Sequence, residues 1–319
     1  MKKYIVKKDE SGQTLEKYVK KIMPAVPLSV IEKLFRKKDI KINGHRKDKK
    51  AIISPDDEVS IYITDADYDR FNSEKKEIVA SNYIEQFIVY EDENILIVNK
   101  PRGMLVQKDK ASGKALDDFV LSYLKYKNEY IEDNKAFTPG PAHRLDRNTA
   151  GLVIFGKNIA TLQYLMSIMQ DKNRIEKRYL ALVKGKVDKP GKIDVPLKKI
   201  ENKSLVKVDK VTNGAKEAIT LYEPIKVYKD YTLLSVRLLT GRTHQIRVHM
   251  AYINHPVIGD NKYGDFLLNK EIEKKYGLTN QFLVANFLKF HNLDYPLDYL
   301  SEKEFEIGVP NNIVQILNI

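Results

Sequence analysis

Pro139-Gly140-Pro141-Ala142-His143-Arg144-Leu145-Asp146-Arg147-Asn148-Thr149-Ala150-Gly151, followed at once by Leu152-Val153-Ile154-Phe155, reads as a tight loop feeding a buried strand. The prolines fix φ on the approach, and the glycines admit positive φ. The four apolar residues form a short run, β-branched or large, closed by Gly156. That is the pattern of a strand buried on both faces. Asp146 is thereby carried on a loop by a rigid strand, with Arg147 beside it and Arg144 two residues back. A carboxylate presented between guanidinium groups suits nucleophilic catalysis. The same run also suits an ordinary turn, so the loop alone does not decide.

A second polar stretch sharpens the choice. Thr240-Gly241-Arg242-Thr243-His244-Gln245-Ile246-Arg247-Val248-His249-Met250 follows the strand-like run Tyr231–Leu238. If residues 243–249 are extended, Thr243, Gln245, Arg247 and His249 share one face and His244, Ile246 and Val248 the other. Burying Arg247 is costly unless it meets an anion, and a carboxylate is the natural partner. A metal held by His244 and His249 is disfavoured, because that spacing on a strand puts them on opposite faces.

Composition narrows the class. With 319 residues, 43% of them hydrophobic, the chain can bury a core and has the length of two domains. It has no cysteine, which excludes disulfides, thiolate chemistry and Cys-ligated zinc. No run of eighteen apolar residues occurs, so no transmembrane helix is expected. The N-terminal apolar run is too short for a signal peptide, and a cytoplasmic location follows as the expectation. Neither a P-loop nor a dinucleotide fingerprint is present. Of a formal charge of +12, the first 50 residues hold 16 Lys+Arg against six Asp+Glu. A basic patch confined to one small unit predicts salt-dependent binding to nucleic-acid phosphates.

That unit has a readable order. Leu15, Tyr18, Val19, Ile22 and Met23 mark one helix face, ended by Pro24 and Pro27. Ser29 to Glu32 has capping-box form and opens a second helix that exposes Lys33, Arg36, Lys37 and Lys38. Ile40-Lys41-Ile42 alternates strictly and meets Asn43-Gly44, a hairpin turn, and Val59–Ile63 reads as a further strand. From Thr14 to Ile63 the stretches TLEKYVKKIMP, LSVIEKLFRKKDIKINGHRK and DDEVSIYI resemble an S4-type RNA-binding domain. The resemblance implies RNA-facing Arg36, Lys37 and Lys38, with Lys41 and Arg46 beside them. Polar residues 66–82 read as a linker, so the domains are 1–65 and 83–319.

Beyond the linker, a hairpin (Phe87–Tyr90 with Ile95–Val98), helices over 115–127 and 159–170, and a strand over 177–183 are expected. The register of 186–230 is not legible. His143-Arg144-Leu145-Asp146-x-x-Thr149-x-Gly151 and Gly241-Arg242-Thr243-His244-Gln245-Ile246-Arg247-x-His249 closely resemble the two motifs of the RluA-type pseudouridine synthases. Asn99 to Gln107 and Lys177 to Val187 match as well, and the resemblance spans roughly residues 83–292. Ala150, Gln107 and Val284 depart from the family's usual Ser, His and His.

The resemblance implies an α+β chain: a small S4-like αα-β domain, then a synthase domain on a mostly antiparallel, bent mixed sheet. It implies isomerisation of uridine within RNA, with no nucleotide cofactor and no metal. Asp146 would be the catalytic carboxylate, Arg247 its partner, and Tyr179 the ring packed on the uracil. Arg144 would fill the place of the extruded base, and His143, Thr149, Lys100, Arg242, His244 and Gln245 would bind substrate. Large-subunit (23S) ribosomal RNA is the expected partner of a monomer, with no membrane partner. A transfer-RNA synthase and a non-catalytic ribosome-assembly factor on the same fold are the alternatives. An Asp-nucleophile glycosidase would show a second catalytic carboxylate, and the two motifs contain none.

Overall fold

A computed structural model describes residues 1–23, 26–72, 78–108, 113–130, 137–200 and 203–308. In the first unit, β1 (Lys2–Ile5), α1 (Leu15–Ile22), α2 (Leu28–Lys37), β2 (Ile40–Ile42), β3 (His45–Arg46) and β4 (Glu58–Ile61) follow in order. The strands form an antiparallel sheet in the order β1-β4-β2-β3. The apolar stripe read in the sequence closes a core of its own: Leu15, Tyr18, Val19, Ile22, Ile31, Leu34, Ile40, Ile42, Val59 and Ile61 are all buried. Asn43 and Gly44 both take positive φ, as a two-residue hairpin turn requires.

Two local expectations shift. The α2 helix is capped by Pro27, without a side-chain bond, so Ser29 lies inside the first turn rather than at the cap. The expected linker opens with a helix, α3 (Asp65–Asn72), tied to β1 by Lys2–Asp65 at 2.9 Å and Tyr4 Oη to Tyr68 Oη at 2.9 Å. Pro24 and residues 73–77 lie outside the described residues.

The larger unit contains β5 (Ile88–Glu91), β6 (Ile95–Lys100), α4 (Leu116–Tyr126), β7 (Gly140–Pro141), β8 (Ala150–Gly156) and α5 (Ile159–Ile168). Next come β9 (Ile175–Lys184), β10 (Gly191–Asp194), β11 (Leu197–Lys199), β12 (Val206–Val208), β13 (Ile219–Val227) and β14 (Tyr231–Leu238). The chain then runs through α6 (Gln245–Tyr252), α7 (Phe266–Tyr276), β15 (Leu283–Phe290) and β16 (Glu304–Glu306). The main sheet runs β10-β13-β14-β9-β15-β8-β6-β5, with β15–β8 its parallel pair. Every other named pair is antiparallel.

β8 is buried along its whole length. Val153 and Phe155 face the core that receives Ile246 and Met250 of α6, and Leu152 and Ile154 face the core under α5. Burying each such side chain contributes roughly 1.5–3 kcal/mol, so the loop ahead of β8 hangs from a firm strand.

Residues 243–250 are not a strand. From Gln245 they form α6, and Gln245 through Met250 are all buried, so its polar members reach the interior on more than one side of the helix.

Candidate active site

Asp146 lies in the loop between β7 and β8, its side chain 26% exposed. The turn is closed by Thr149 N–H donating to the Asp146 carbonyl at 3.1 Å. Below it Lys100 is wholly buried, and its ammonium donates to the carbonyls of Pro101, Met104 and Arg147 at 2.9, 2.8 and 3.0 Å. These three acceptors use all three hydrogens of the charged form. Burial draws the Lys100 pKa down to about 7, against the pull of the Asp146 charge. Lys100 therefore ties the start of one loop to the middle of the other.

Gly151 brings the second wall into place. Its φ is +122°, and a Cβ there would meet the Ala285 carbonyl oxygen at 2.3 Å. Only a glycine lets β8 run this close to β15. Ala285 is paired in register with Tyr179 of β9, so the close approach sets the Asp146 loop against Tyr179. Burial, and then the Asp146 charge, push the Tyr179 hydroxyl pKa above its ordinary value.

Arg247 reaches in from α6, 5% exposed. Its Nη1 donates to Asp146 Oδ2 at 3.0 Å, while Nε and Nη2 grip Asp260 Oδ2 and Oδ1 at 2.6 and 2.8 Å. Asp260 is fully buried, and Lys262 and Tyr263 donate backbone N–H bonds to it at 2.8 and 3.1 Å. Burial alone would raise the Asp260 pKa, but Arg247 holds it below the usual carboxylate range. Burial would likewise lower the Arg247 pKa, but the two carboxylates raise it. The guanidinium also lies over the Tyr263 ring, 5.2 Å from its centroid. A buried arginine was expected to meet one carboxylate and meets two.

His244 precedes α6 in left-handed backbone, φ 54° and ψ 19°. Its Nε2 lies 3.9 Å from Asp146 Oδ2, and its Nδ1 is 2.8 Å from the Tyr263 hydroxyl. Neither Asp260 nor Tyr263 is picked out by the sequence reading. Their signal is the turn Gly259-Asp260…Tyr263-Gly264, where Gly259 takes a positive φ and a Cβ there would meet the Asn280 carbonyl oxygen at 2.4 Å.

The expected substrate contacts divide. Arg144 and Arg242 are exposed, with Arg242 Nε donating to the Glu217 carbonyl at 2.9 Å. Lys100, Thr149 and Gln245 are all buried and bonded internally. Gln245 bonds Thr240, Arg242, Ile219 and Thr220, and so fixes the entry to α6. His143 Nε2 accepts from Ile154 N–H at 3.2 Å and braces β8, with burial lowering its pKa to about 3. His249 does not face solvent; it is fully buried beside Thr220 and the Val195 carbonyl. Among the described residues no group of three His, Cys, Asp or Glu is placed to hold a metal, and no helix is long and apolar enough to cross a membrane.

Residues 94–252 match the family described as RNA pseudouridylate synthase. A Mycoplasma capricolum RNA pseudouridine synthase is 35% identical over 95% of this chain and 96% of its own. A Buchnera aphidicola protein named ribosomal large subunit pseudouridine synthase D is 32% identical over 88% of this chain and 86% of its own. This chain belongs to the RluA family of RNA pseudouridine synthases. The synthase is thus an isomerase. A Haemophilus ducreyi protein named tRNA pseudouridine synthase C is also similar, 35% identical over 64% of this chain and 84% of its own. In fold, the synthase resembles human RNA pseudouridylate synthase domain containing 4, with a TM-score of 0.59 at 22% identity, covering 74% of this chain and 93% of that one.

Proposed function

We propose that the synthase isomerises uridine in large-subunit ribosomal RNA and that Asp146 is the group that reacts with the target nucleoside. In the net reaction the N1–C1′ bond breaks and a C5–C1′ bond forms. C5 gives up its hydrogen and N1 ends bearing one, so the atoms balance without a co-reactant. One observation carries the assignment: Asp146 Oδ2 is held by Arg247, and Oδ1 has no hydrogen bond among the described residues. Arg247 is itself fixed by Asp260, so the carboxylate is held in place before substrate arrives.

A uridine in a helix has to leave the stack to meet such a site. Arg144, exposed on the same loop two residues from Asp146, fills the vacated place. Tyr179 packs against the uracil. The first 65 residues, read as an S4-like unit, dock the RNA backbone through Arg36, Lys37, Lys38 and Arg46, all exposed. Lys41 is less available, since its ammonium is engaged with the Tyr62 hydroxyl at 3.3 Å and lies 4.7 Å from the ring centroid. The ribosomal substrate is favoured by relatives of that name that match 88% or more of this chain and 86% or more of their own length. The synthase acts as a monomer in the cytoplasm.

Mapping pseudouridines in ribosomal and transfer RNA from a deletion strain tests the substrate. Loss of a large-subunit site, restored by the wild-type gene and not by Asp146→Asn, is the expected result. Loss confined to transfer RNA would move the substrate. Restoration by Asp146→Asn would remove Asp146 from the chemistry.

A further inference from the structure

Asp146 presents its two oxygens differently. Oδ2 accepts from Arg247 Nη1 at 3.0 Å and faces His244 Nε2 at 3.9 Å. We propose that Tyr263 and His244 form a positioning pair: Tyr263 fixes the His244 tautomer, His244 holds Oδ2 alongside Arg247, and Oδ1 is left as the oxygen that meets substrate. This rests on the reading of Asp146 given above.

The hydrogen inventory supports the tautomer. Tyr263 Oη accepts from Val206 N–H at 2.8 Å, which occupies a lone pair and leaves the single hydroxyl hydrogen free. His244 Nδ1 lies 2.8 Å from that oxygen and is the acceptor placed to take the hydrogen. A neutral imidazole that accepts at Nδ1 carries its own hydrogen on Nε2, the nitrogen aimed at Asp146.

The backbone argues in the same direction. A non-glycine residue at φ 54° is uncommon and costs energy, yet this conformation is what aims the ring. The ring is held edge-on to Tyr263, with centroids 5.5 Å apart and planes at 65°. Its side chain is 11% exposed, so water competes weakly for Nε2. The charged groups around it are Asp146, Arg247, Lys262 and Asp260. Burial lowers the His244 pKa, with Asp146 pulling the other way, which favours the neutral ring. The 3.9 Å gap is longer than a hydrogen bond, and catalytic contacts of this kind tighten once substrate is bound.

The test uses the full chain with 15N-labelled histidine. The chain has six histidines, and the His244 resonances are those that vanish in His244→Asn, a residue that tolerates left-handed backbone. The expected spectrum shows His244 Nδ1 as the bare nitrogen and Nε2 as the protonated one, with the two tautomers mixing in Tyr263→Phe. Single-turnover pseudouridine formation by Tyr263→Phe should fall roughly tenfold to a hundredfold, with RNA affinity unchanged. A merely structural tyrosine would lower the melting temperature and leave that rate intact in the folded fraction. A proton on Nδ1 in the wild type, or an unchanged rate in Tyr263→Phe, overturns the proposal. Should the wild type make no pseudouridine in any RNA, the functional reading fails separately, and the tautomer is still read from the spectrum.

Discussion

Arg247 and Arg36 are both arginines in a basic chain, and the molecule uses them in contrary ways. Arg247 is 5% exposed, gripped by a buried Asp260 and touching Asp146 through one nitrogen. Arg36 stands exposed at the end of α2 beside Lys37 and Lys38. The first guanidinium gives direction, because every hydrogen bond it makes is fixed by burial. The second gives field, because an exposed cation attracts phosphate without specifying geometry. The difference teaches that chemistry and affinity are separable here, and four changes probe that separation in order of decreasing effect.

Asp146→Asn removes the anion proposed to react and keeps its shape. Turnover should drop by at least about a thousandfold with RNA affinity retained, read by single-turnover pseudouridine formation and a binding titration. A parallel loss of affinity would mean that the carboxylate belongs to the docking surface as well.

Arg247→Met should also silence the enzyme, and it strands Asp260 in the interior. Breaking a buried pair from one side costs about 3–5 kcal/mol, which a urea unfolding curve would show. The pH dependence has a definite sign. In the wild type the Asp260 pKa is depressed, so its stabilisation is present above the unfolded value near 3.9 and is lost only as pH falls below that. Without Arg247, burial raises the pKa, and the penalty grows as pH rises through that range. The stability gap between variant and wild type should therefore be wider near pH 8 than near pH 4.5. A gap independent of pH would place the loss in packing rather than in the stranded carboxylate.

Lys100→Met removes the ammonium that donates to three partly buried carbonyls, at a cost of about 1–3 kcal/mol. Its turnover should fall because the Asp146 loop loses its tie, through the Arg147 carbonyl, to Lys100, while the salt dependence of RNA binding stays as in the wild type. A flattened salt slope in this variant would show that Lys100 meets phosphate after all.

How much of this was legible in the sequence depended on whether a residue's environment leaves a periodic trace. Leu152 to Phe155 announce a strand because apolar runs bounded by glycine have few other uses, and the α1 stripe announces a helix because only one side is buried. The α6 helix hides its period, since Gln245, Arg247 and His249 are buried along with Ile246, Val248 and Met250. A helix enclosed on all sides shows no polar face, and chance alternation then imitates a strand. Arg247 was still read as needing a carboxylate, because the cost of burying it does not depend on secondary structure. Asp260 and Tyr263 were missed because they lie on an irregular turn, where spacing carries no direction. Lys100, Thr149 and Gln245 were assigned to substrate by their place in the family motifs, and the burial that makes them internal ties has no mark in the sequence.

The exposed triad supplies the smallest effect on chemistry and the most direct test of the division. Arg36, Lys37 and Lys38 replaced together by Ala should flatten the salt slope of RNA affinity by roughly two units, at about 0.7–0.9 per phosphate contact. The measurement is single-turnover pseudouridine formation by this variant at saturating RNA, beside its salt titration. The account predicts a rate within about twofold of wild type with weakened, less salt-sensitive binding, since these contacts are equal in ground and transition states. Unchanged affinity with a collapsed rate would contradict it, and would make the N-terminal unit part of the active site.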